Sequence, residues 1–253
     1  MPRSLATRLY IDTPLEAGAE VALGEAHVHL LRSVLRLGDG DAIALFNGRD
    51  GEWRGRLARF AKRTGAVVVD EQLRPQTTEP DIWLMVAPIK GPRLDWIVEK
   101  GTELGATEIH PVLTRRTVVS RLNLDRLQAH AVEAAEQCER LSVPPVREGR
   151  TLGDVMDRWP AGRHLYIAAE RRGVRPMAEA IRADGAPAAI LIGPEGGFEP
   201  AELDHMAQLG FASLVGLGPR ILRADTAAVA AMALWQALSQ PPLADRPGRA
   251  HIA

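Results

Sequence analysis

The stretch AAILIGPEGGFEPAELDHMAQLG, residues 188–210, decides the fold. An unbroken apolar run from Ala188 to Ile192 reads as a buried strand. It ends in a bend containing Gly193, Gly196, Gly197, two prolines and two glutamates. A helix is expected from Pro200, a residue suited to a first helical position, to Gly210. A chain that only has to turn does so with less. So many glycines let main chain pass close to something, since glycine has no Cβ and tolerates positive φ.

Reading outward, the same alternation of strands and helices runs from Asp81 onward. IWLMVAP, TEIHPV, HLYIAA, AAILIG and ASLVGLG read as strands. RLDWIVEKGTELG carries Leu94, Ile97, Val98 and Leu104 on one face and stops at Gly105. Asn123 is placed to cap a helix whose apolar stripe is Leu124, Leu127, Ala131, Ala134, Cys138 and Leu141. Asp225 is placed to cap TAAVAAMALWQAL, apolar nearly all round and therefore expected in a core or between subunits. The pattern is that of an α/β domain with a mostly parallel sheet.

The N-terminal part reads differently. IALF, EWRGRLARF and GAVVVDEQL are short β-type runs, the first two joined by NGRDG, a hairpin loop signal. EAHVHLLRSVLRL before them has Val28, Leu31, Val34 and Leu35 at helical spacing. A small β-barrel with one helix is expected over residues 1–74, then the α/β domain over 75–241 and a mobile tail over 242–253, with RPQTTEP at the junction.

The 253-residue chain is 46% hydrophobic and 25% charged, with one cysteine and a net charge of -1. That profile suits a globular protein and leaves neither a disulfide framework nor a cysteine-rich metal site. No apolar run is long enough for a membrane span, and the N-terminus has no signal-peptide core, so a cytoplasmic protein is expected. Nucleic acid would have to bind at local basic patches.

In an open α/β sheet, ligands bind beyond the carboxyl ends of the strands. Three loops qualify: AAERRG (168–173), GPEGGFEP (193–200) and LGPRILRAD (217–225). The second could be only a strand-to-helix turn. A phosphate cradle is disfavoured, because neither GxxxxGK[ST] nor GxGxxG is met and Glu195 brings negative charge. In the third, Arg220 and Arg223 precede a helix start, where the dipole disfavours cations. They read as an anion site, as partners of a carboxylate, or as a solvated charge pair.

Together these segments resemble the RsmE family of 16S ribosomal RNA m3U methyltransferases, within the SPOUT class of trefoil-knotted α/β enzymes. The resemblance rests on RLYID (8–12), HLLRSVLRLGDGD (29–41), LFNG (45–48), PIKGPRLDWIVEKGTELGATEIHPVLTRRTVV (88–119), EAAEQCERLSVPPV (133–146), IGPEGGFEPAEL (192–203) and LGPRILRADTAAVAA (217–231). Asp225 departs from the family's usual Glu, an acidic residue in either case. The resemblance implies a SPOUT-type α/β trefoil-knot domain preceded by a small PUA-like β-barrel, with the last helix threaded through a loop. It implies a homodimer, and S-adenosylmethionine bound by the three loops: Ala169, Ile192, Gly193, Pro194, Glu195, Gly196, Gly197, Leu217, Gly218, Arg220, Ile221 and Leu222. The implied reaction is methylation of uridine N3 in 16S rRNA of the 30S subunit, the family target being U1498.

For that chemistry the uracil must be positioned, and its N3 proton must go to a general base or the developing uracil anion be stabilised by cationic groups. Arg223 and Arg220 are candidates for the electrostatic role and Thr226 for a hydrogen bond. Glu136, Gln137 and Arg140 are candidates for residues that one protomer presents to its partner. RNA contacts are expected from Arg3, Arg8, His29, Arg32, Arg36, Arg54, Arg56, Lys90 and Arg93, with His29, Arg32 and Arg36 on one helical face. Three rival readings are a SPOUT 2′-O-methyltransferase, an RNA-binding assembly factor without catalysis, and a nicotinamide enzyme; the absent GxGxxG disfavours the last.

Overall fold

The computed structural model describes residues 5–119, 121–170, 173–181 and 186–239. Arg3, the loop arginines 171 and 172, and the tail from residue 240 lie outside them. The chain divides into two compact units.

The first unit holds the described residues up to Thr78 together with Ala135–Val143. Its elements are β1 (Arg8–Tyr10), β2 (Glu20–Leu23), α1 (Glu25–His29), β3 (Ala42–Phe46), β4 (Glu52–Ala58) and β5 (Gly65–Arg74). They form a five-stranded sheet in the order β1-β3-β4-β5-β2, antiparallel except for β1 on β3. The sheet curls into a half-barrel around Leu9, Val21, Val28, Leu31, Ile43, Leu45, Leu57 and Val67. The NGRDG hairpin forms as expected. Asn47 Oδ1 accepts from the amides of Arg49 and Asp50 at 2.9 and 2.8 Å, the side-chain-to-backbone bonding that suits Asn to turns.

The helix expected over 25–37 is shorter and irregular. After α1 the backbone widens to a π-helix at Leu30–Val34, and Arg36 has φ 58°. Val28 and Leu31 are buried, but Val34 is 60% exposed and Leu35 38%. The shared face of His29, Arg32 and Arg36 is therefore not that of a regular helix, although all three are exposed.

The second unit holds Glu79–Ala134 and the described residues from Pro144 on. In chain order come β6 (Ile82–Val86), α2 (Pro92–Glu103), β7 (Glu108–Leu113), α3 (Leu124–Gln137, whose end belongs to the first unit), β8 (Arg150–Thr151), α4 (Leu152–Asp157), β9 (His164–Ala168), β10 (Arg175–Pro176), α5 (Met177–Ala180), β11 (Ala188–Ile192), α6 (Pro200–Ala207), β12 (Ala212–Gly216) and α7 (Ala224–Ser239). The sheet order is β10-β12-β9-β11-β6-β7-β8, with every pairing parallel. β11 lies between β6 and β9, and all five of its residues are buried. That accounts for its uninterrupted apolar sequence.

One sheet face packs Met85, Leu165, Ile167, Ala189 and Leu191 against Leu152, Met156 and Met206. On α7, Ala227, Ala228, Ala231, Met232 and Trp235 are buried, and the helix packs against α2, β6 and β11. Asn123 caps α3 as expected, accepting from the Arg126 amide at 3.0 Å. The expected stripe on α3 outruns the helix, which ends at Gln137; Leu141 is buried beyond it.

On the paired strands β6 and β7, a half-buried His110 ring lies against Trp83, with ring centroids 4.4 Å apart and planes tilted by 32°. Its Nε2 is 3.1 Å from Glu108 Oε2 in geometry too poor for a hydrogen bond. Burial pushes the imidazole pKa down to about 4, against the opposing pull of Glu108. Between the unfolded value near 6.5 and that folded value, only the unfolded ring holds the proton. Stability carried by the neutral ring is therefore full above about pH 6.5 and drains away as pH falls towards 4, by on the order of 3 kcal/mol. His110→Phe keeps the stacking and removes the titration. Urea midpoints at about pH 7.5 and 4.5 should converge in this variant relative to the wild type; an unchanged gap would show that the ring does not titrate as stated.

Candidate active site at the strand ends

The parallel strands send β9, β11 and β12, which lie side by side, to the same edge, so the loops that follow them are neighbours. Their starts are stitched together: the Ala169 amide donates to Val215 O at 3.0 Å and the Ala87 amide to Ile192 O at 2.9 Å. The second bond brings in the loop after β6, which carries exposed Lys90 and leads into α2, where Arg93 is half-buried in the first turn.

The three glycines of the bend have three different environments. A Cβ at Gly193 would lie 2.9 Å from the Phe198 ring, so close packing explains it. Gly197 has φ 66° and closes a turn in which its amide donates to Pro194 O at 2.8 Å. Gly196 has ordinary φ, is exposed, and would place a Cβ no nearer than 3.6 Å to anything, that neighbour being the Arg116 side chain. Neither backbone strain nor crowding explains the glycine at 196; exposed main chain without a side chain remains as its use. Glu195 is also exposed, with no hydrogen bond or ion pair among the described residues.

α6 begins at Pro200 as expected, and a capping box closes it. The Glu199 side chain takes the helix amide, and Glu202 Oε2 accepts from the Glu199 amide at 2.9 Å.

In the third loop Gly218 has φ 106°, Arg220 and Arg223 are exposed, and Ile221 is 79% exposed. Leu217 and Leu222 are partly buried. The expected cap at Asp225 is displaced: α7 starts at Ala224, and Arg223 O accepts its first helical amide, from Ala227, at 2.8 Å. Asp225 sits inside the first turn, where its Oδ1 accepts from the Thr226 amide at 2.8 Å. Its Oδ2 lies 4.0 Å from Arg93 Nε. The Thr226 hydroxyl is exposed, 3.5 Å from Asp225 Oδ1. Arg220 and Arg223 have no carboxylate partner among the described residues. The helix dipole opposes them, so the pair favours an incoming negative charge.

Two expected cofactor residues turn inward. Ile192 is 2% exposed and Ala169 7%, so their side chains belong to the sheet and only their main chain faces the edge.

Several expected sites are corrected in the first unit. Arg8 is 4% exposed. Its Nε donates to Glu52 Oε1 at 2.5 Å, and its Nη atoms to the carbonyls of Ala135, Glu136 and Arg140 at 3.0, 3.1 and 2.8 Å. Such a residue is not available to RNA. Glu136 accepts from the Tyr10 amide at 2.8 Å, Arg140 is buried beyond the helix end, and Gln137 alone of that trio is exposed. Arg56 is paired through two hydrogen bonds with Asp70, at 2.7 and 2.8 Å, and Arg54 lies 3.5 Å from Glu71, so both charges are largely answered within the sheet. His29, Arg32 and Arg36 have no such partner among the described residues.

Sequence reasoning missed Arg115, Arg116 and Glu202. Arg116 Nη1 donates to Gly196 O at 2.8 Å, and the Arg115 amide donates to Glu202 Oε1 at 2.9 Å.

A glycine-and-arginine strand edge on a parallel sheet, with a curled β unit in the same chain, defines a class: the family model of an RNA methyltransferase domain matches residues 77–236, and that of an RNA methyltransferase PUA domain matches 25–69. Ribosomal RNA small subunit methyltransferase E of Synechocystis is 36% identical over 92% of this chain and 78% of its own. Its namesake from Rickettsia conorii is 33% identical over 89% and 93%. The crystal structure of the Neisseria gonorrhoeae protein of that name, bound to S-adenosyl methionine, superposes with a TM-score of 0.83 at 30% identity, covering 92% of this chain and 97% of that one. The chain belongs to the ribosomal RNA small subunit methyltransferase E family.

Proposed function

We propose that this protein transfers the methyl group of S-adenosylmethionine to N3 of a uridine in 16S rRNA, the family target U1498, in the 30S subunit. The observation that carries the reading is the strand edge itself. It offers exposed glycine main chain at 196, an exposed apolar Ile221, and Arg220 and Arg223, which have no carboxylate partner among the described residues. The relative from Neisseria gonorrhoeae binds the cofactor on the same fold.

Main chain of Gly193–Gly197, Leu217 and Gly218, with Ile221 and Leu222, would hold the cofactor. Bound there, S-adenosylmethionine supplies a methyl group on a sulfonium centre. The protein's part is to place N3 in line and to stabilise the charge left on the uracil when its N3 proton departs. Arg223, at the first turn of α7, and Arg220 would face that charge. Thr226 would donate a hydrogen bond once its hydroxyl turns away from Asp225. Lys90, Arg93, His29, Arg32 and Arg36 would contact RNA.

No helix of the described residues is long and apolar enough to cross a membrane, and a cytoplasmic enzyme is proposed. A homodimer is proposed as well, resting on the exposed Ala233, Ala237 and Leu238 of α7 and on Trp96 of α2. The trefoil threading of α7 belongs to the same family reading.

The test is methyl transfer from labelled cofactor to 30S subunits lacking rRNA modification, with the product nucleoside identified by mass spectrometry. 3-Methyluridine is the expected product. A different methylated nucleoside, or cofactor binding without transfer, would overturn the assignment.

The RNA face makes a separate prediction. Arg32→Glu with Arg36→Glu should weaken RNA binding and reduce its log-log salt slope by about 2, one unit per lost phosphate contact. Cofactor affinity should not change. Equal RNA binding by both proteins would remove this face from the interface.

A further inference from the structure

We infer that Glu202 and Arg116 are positioning residues that clamp the glycine loop in its cofactor-binding shape; the inference rests on the proposed cofactor site. One carboxylate joins two loops. Glu202 is 9% exposed, and its two oxygens accept from different segments: Oε2 from the Glu199 amide, at the end of the glycine loop, and Oε1 from the Arg115 amide, in the loop after β7. An ordinary capping box needs only the first of these bonds.

The loop after β7 is itself stiffened. The Thr114 amide donates to Thr117 Oγ1 at 2.9 Å, and the two hydroxyls are 3.0 Å apart. From this platform Arg116 reaches the middle of the glycine loop and donates to Gly196 O at 2.8 Å, its stem lying alongside the glycine at 3.6–3.8 Å from where a Cβ would stand. Arg115 adds a weaker link, 3.8 Å from Glu199. The glycine loop is thus held at 196 by Arg116 and at 199 by Glu202, both through the β7 loop. The turn at 194–197, which includes the first of these points, is closed by its own bond from the Gly197 amide to Pro194 O. A loop rich in glycine loses more conformational entropy on ordering than any other, so holding it beforehand lowers the cost of binding. The Arg116 guanidinium takes the Gly196 carbonyl and Pro194 O takes the Gly197 amide, so the peptide between the two glycines is fixed by a hydrogen bond on each side.

The experiment is calorimetric titration of the full-length protein with S-adenosylmethionine, without RNA, for wild type, Arg116→Ala, Arg116→Lys and Glu202→Gln, together with thermal melts and steady-state kinetics on 30S subunits. Arg116→Ala should raise the cofactor Kd about tenfold, the scale for a lost charge-assisted hydrogen bond. Arg116→Lys, which keeps one donor, should recover part of the loss. Glu202→Gln keeps one acceptor and sets an NH2 group against the other backbone amide, so it should raise Kd by a similar factor and lower the melting temperature by a few degrees. In kinetics the cofactor KM should rise more than the RNA KM. Unchanged cofactor affinity in both Arg116→Ala and Glu202→Gln would overturn the clamp. So would a rise confined to the RNA KM, which would make Arg116 a phosphate contact. A wild-type protein that fails to bind the cofactor would refute the proposed function itself, a result distinguishable from either.

Discussion

Arg8→Met is expected to cost the first unit about 3–5 kcal/mol, the range for breaking a buried ion pair from one side. Arg8 and Glu52 are 4% and 5% exposed, and the guanidinium lies 4.3 Å above the Phe46 ring. Removing it withdraws a donor from Glu52 and from three carbonyls at and beyond the end of α3, where backbone acceptors have no helical partner. Arg74 would still hold Glu52 at 2.7 and 2.9 Å, which keeps the loss towards the lower end of the range. Burial pushes the Glu52 carboxyl pKa up, but the hydrogen bond from Arg74 and the charge of Arg8 more than offset it and leave it lowered. The cluster's contribution is therefore present above the unfolded carboxylate value and lost as pH falls through the folded one. Urea denaturation followed by circular dichroism, with Arg8→Lys alongside, measures the effect. Lysine cannot reach Glu52 and the carbonyls together, so an intermediate loss is expected. A loss below about 1 kcal/mol for Arg8→Met would mean the cluster contributes no more than a surface pair.

Arg8 also shows where sequence reading stops. In RLYID it is a cation at the start of a short β run, and nothing local tells a buried one from a phosphate contact. Its carboxylate is 44 residues away and its carbonyl acceptors 127–132 residues away. The strand-loop-helix at 188–207 was legible because its signals are local: an apolar run fit for a central parallel strand, glycines at the bend, and proline at the first helical position. The neighbouring placement of the three loops followed from parallel connectivity once the strands were identified. The helix at 25–37 was overextended because the apolar spacing of Val34 and Leu35 continues past the point where the backbone widens to a π-helix. Nor does any Gly or Pro mark the end of α3, where Glu139 adopts φ 63°. The link from Glu202 to Arg115 escaped because it ends on a backbone amide, a group every residue but proline possesses. The candidate site was thus readable as a set of loops, while the contacts that shape those loops were not.

Gly196→Val is expected to weaken S-adenosylmethionine binding by up to about a hundredfold while leaving the melting temperature close to that of the wild type. The magnitude follows from forcing a branched side chain into a site built for bare main chain, a cost of about 1–3 kcal/mol. The fold should tolerate it. Position 196 is exposed, its φ is ordinary, and the nearest atom to an added Cβ is Arg116 Cδ at 3.6 Å, on a flexible side chain. Gly193→Val is the contrasting variant: its Cβ would lie 2.9 Å from the buried Phe198 ring, so stability should fall together with binding. Valine at 196 could also act by pushing Arg116 off the Gly196 carbonyl. The double variant Gly196→Val/Arg116→Ala separates the two routes. If the valine meets the cofactor directly, the two losses add and the double variant binds more weakly than either single variant. If it acts only by displacing Arg116, the double variant matches Arg116→Ala. Calorimetric binding by Gly196→Val equal to that of the wild type would refute the assignment of this loop to the cofactor.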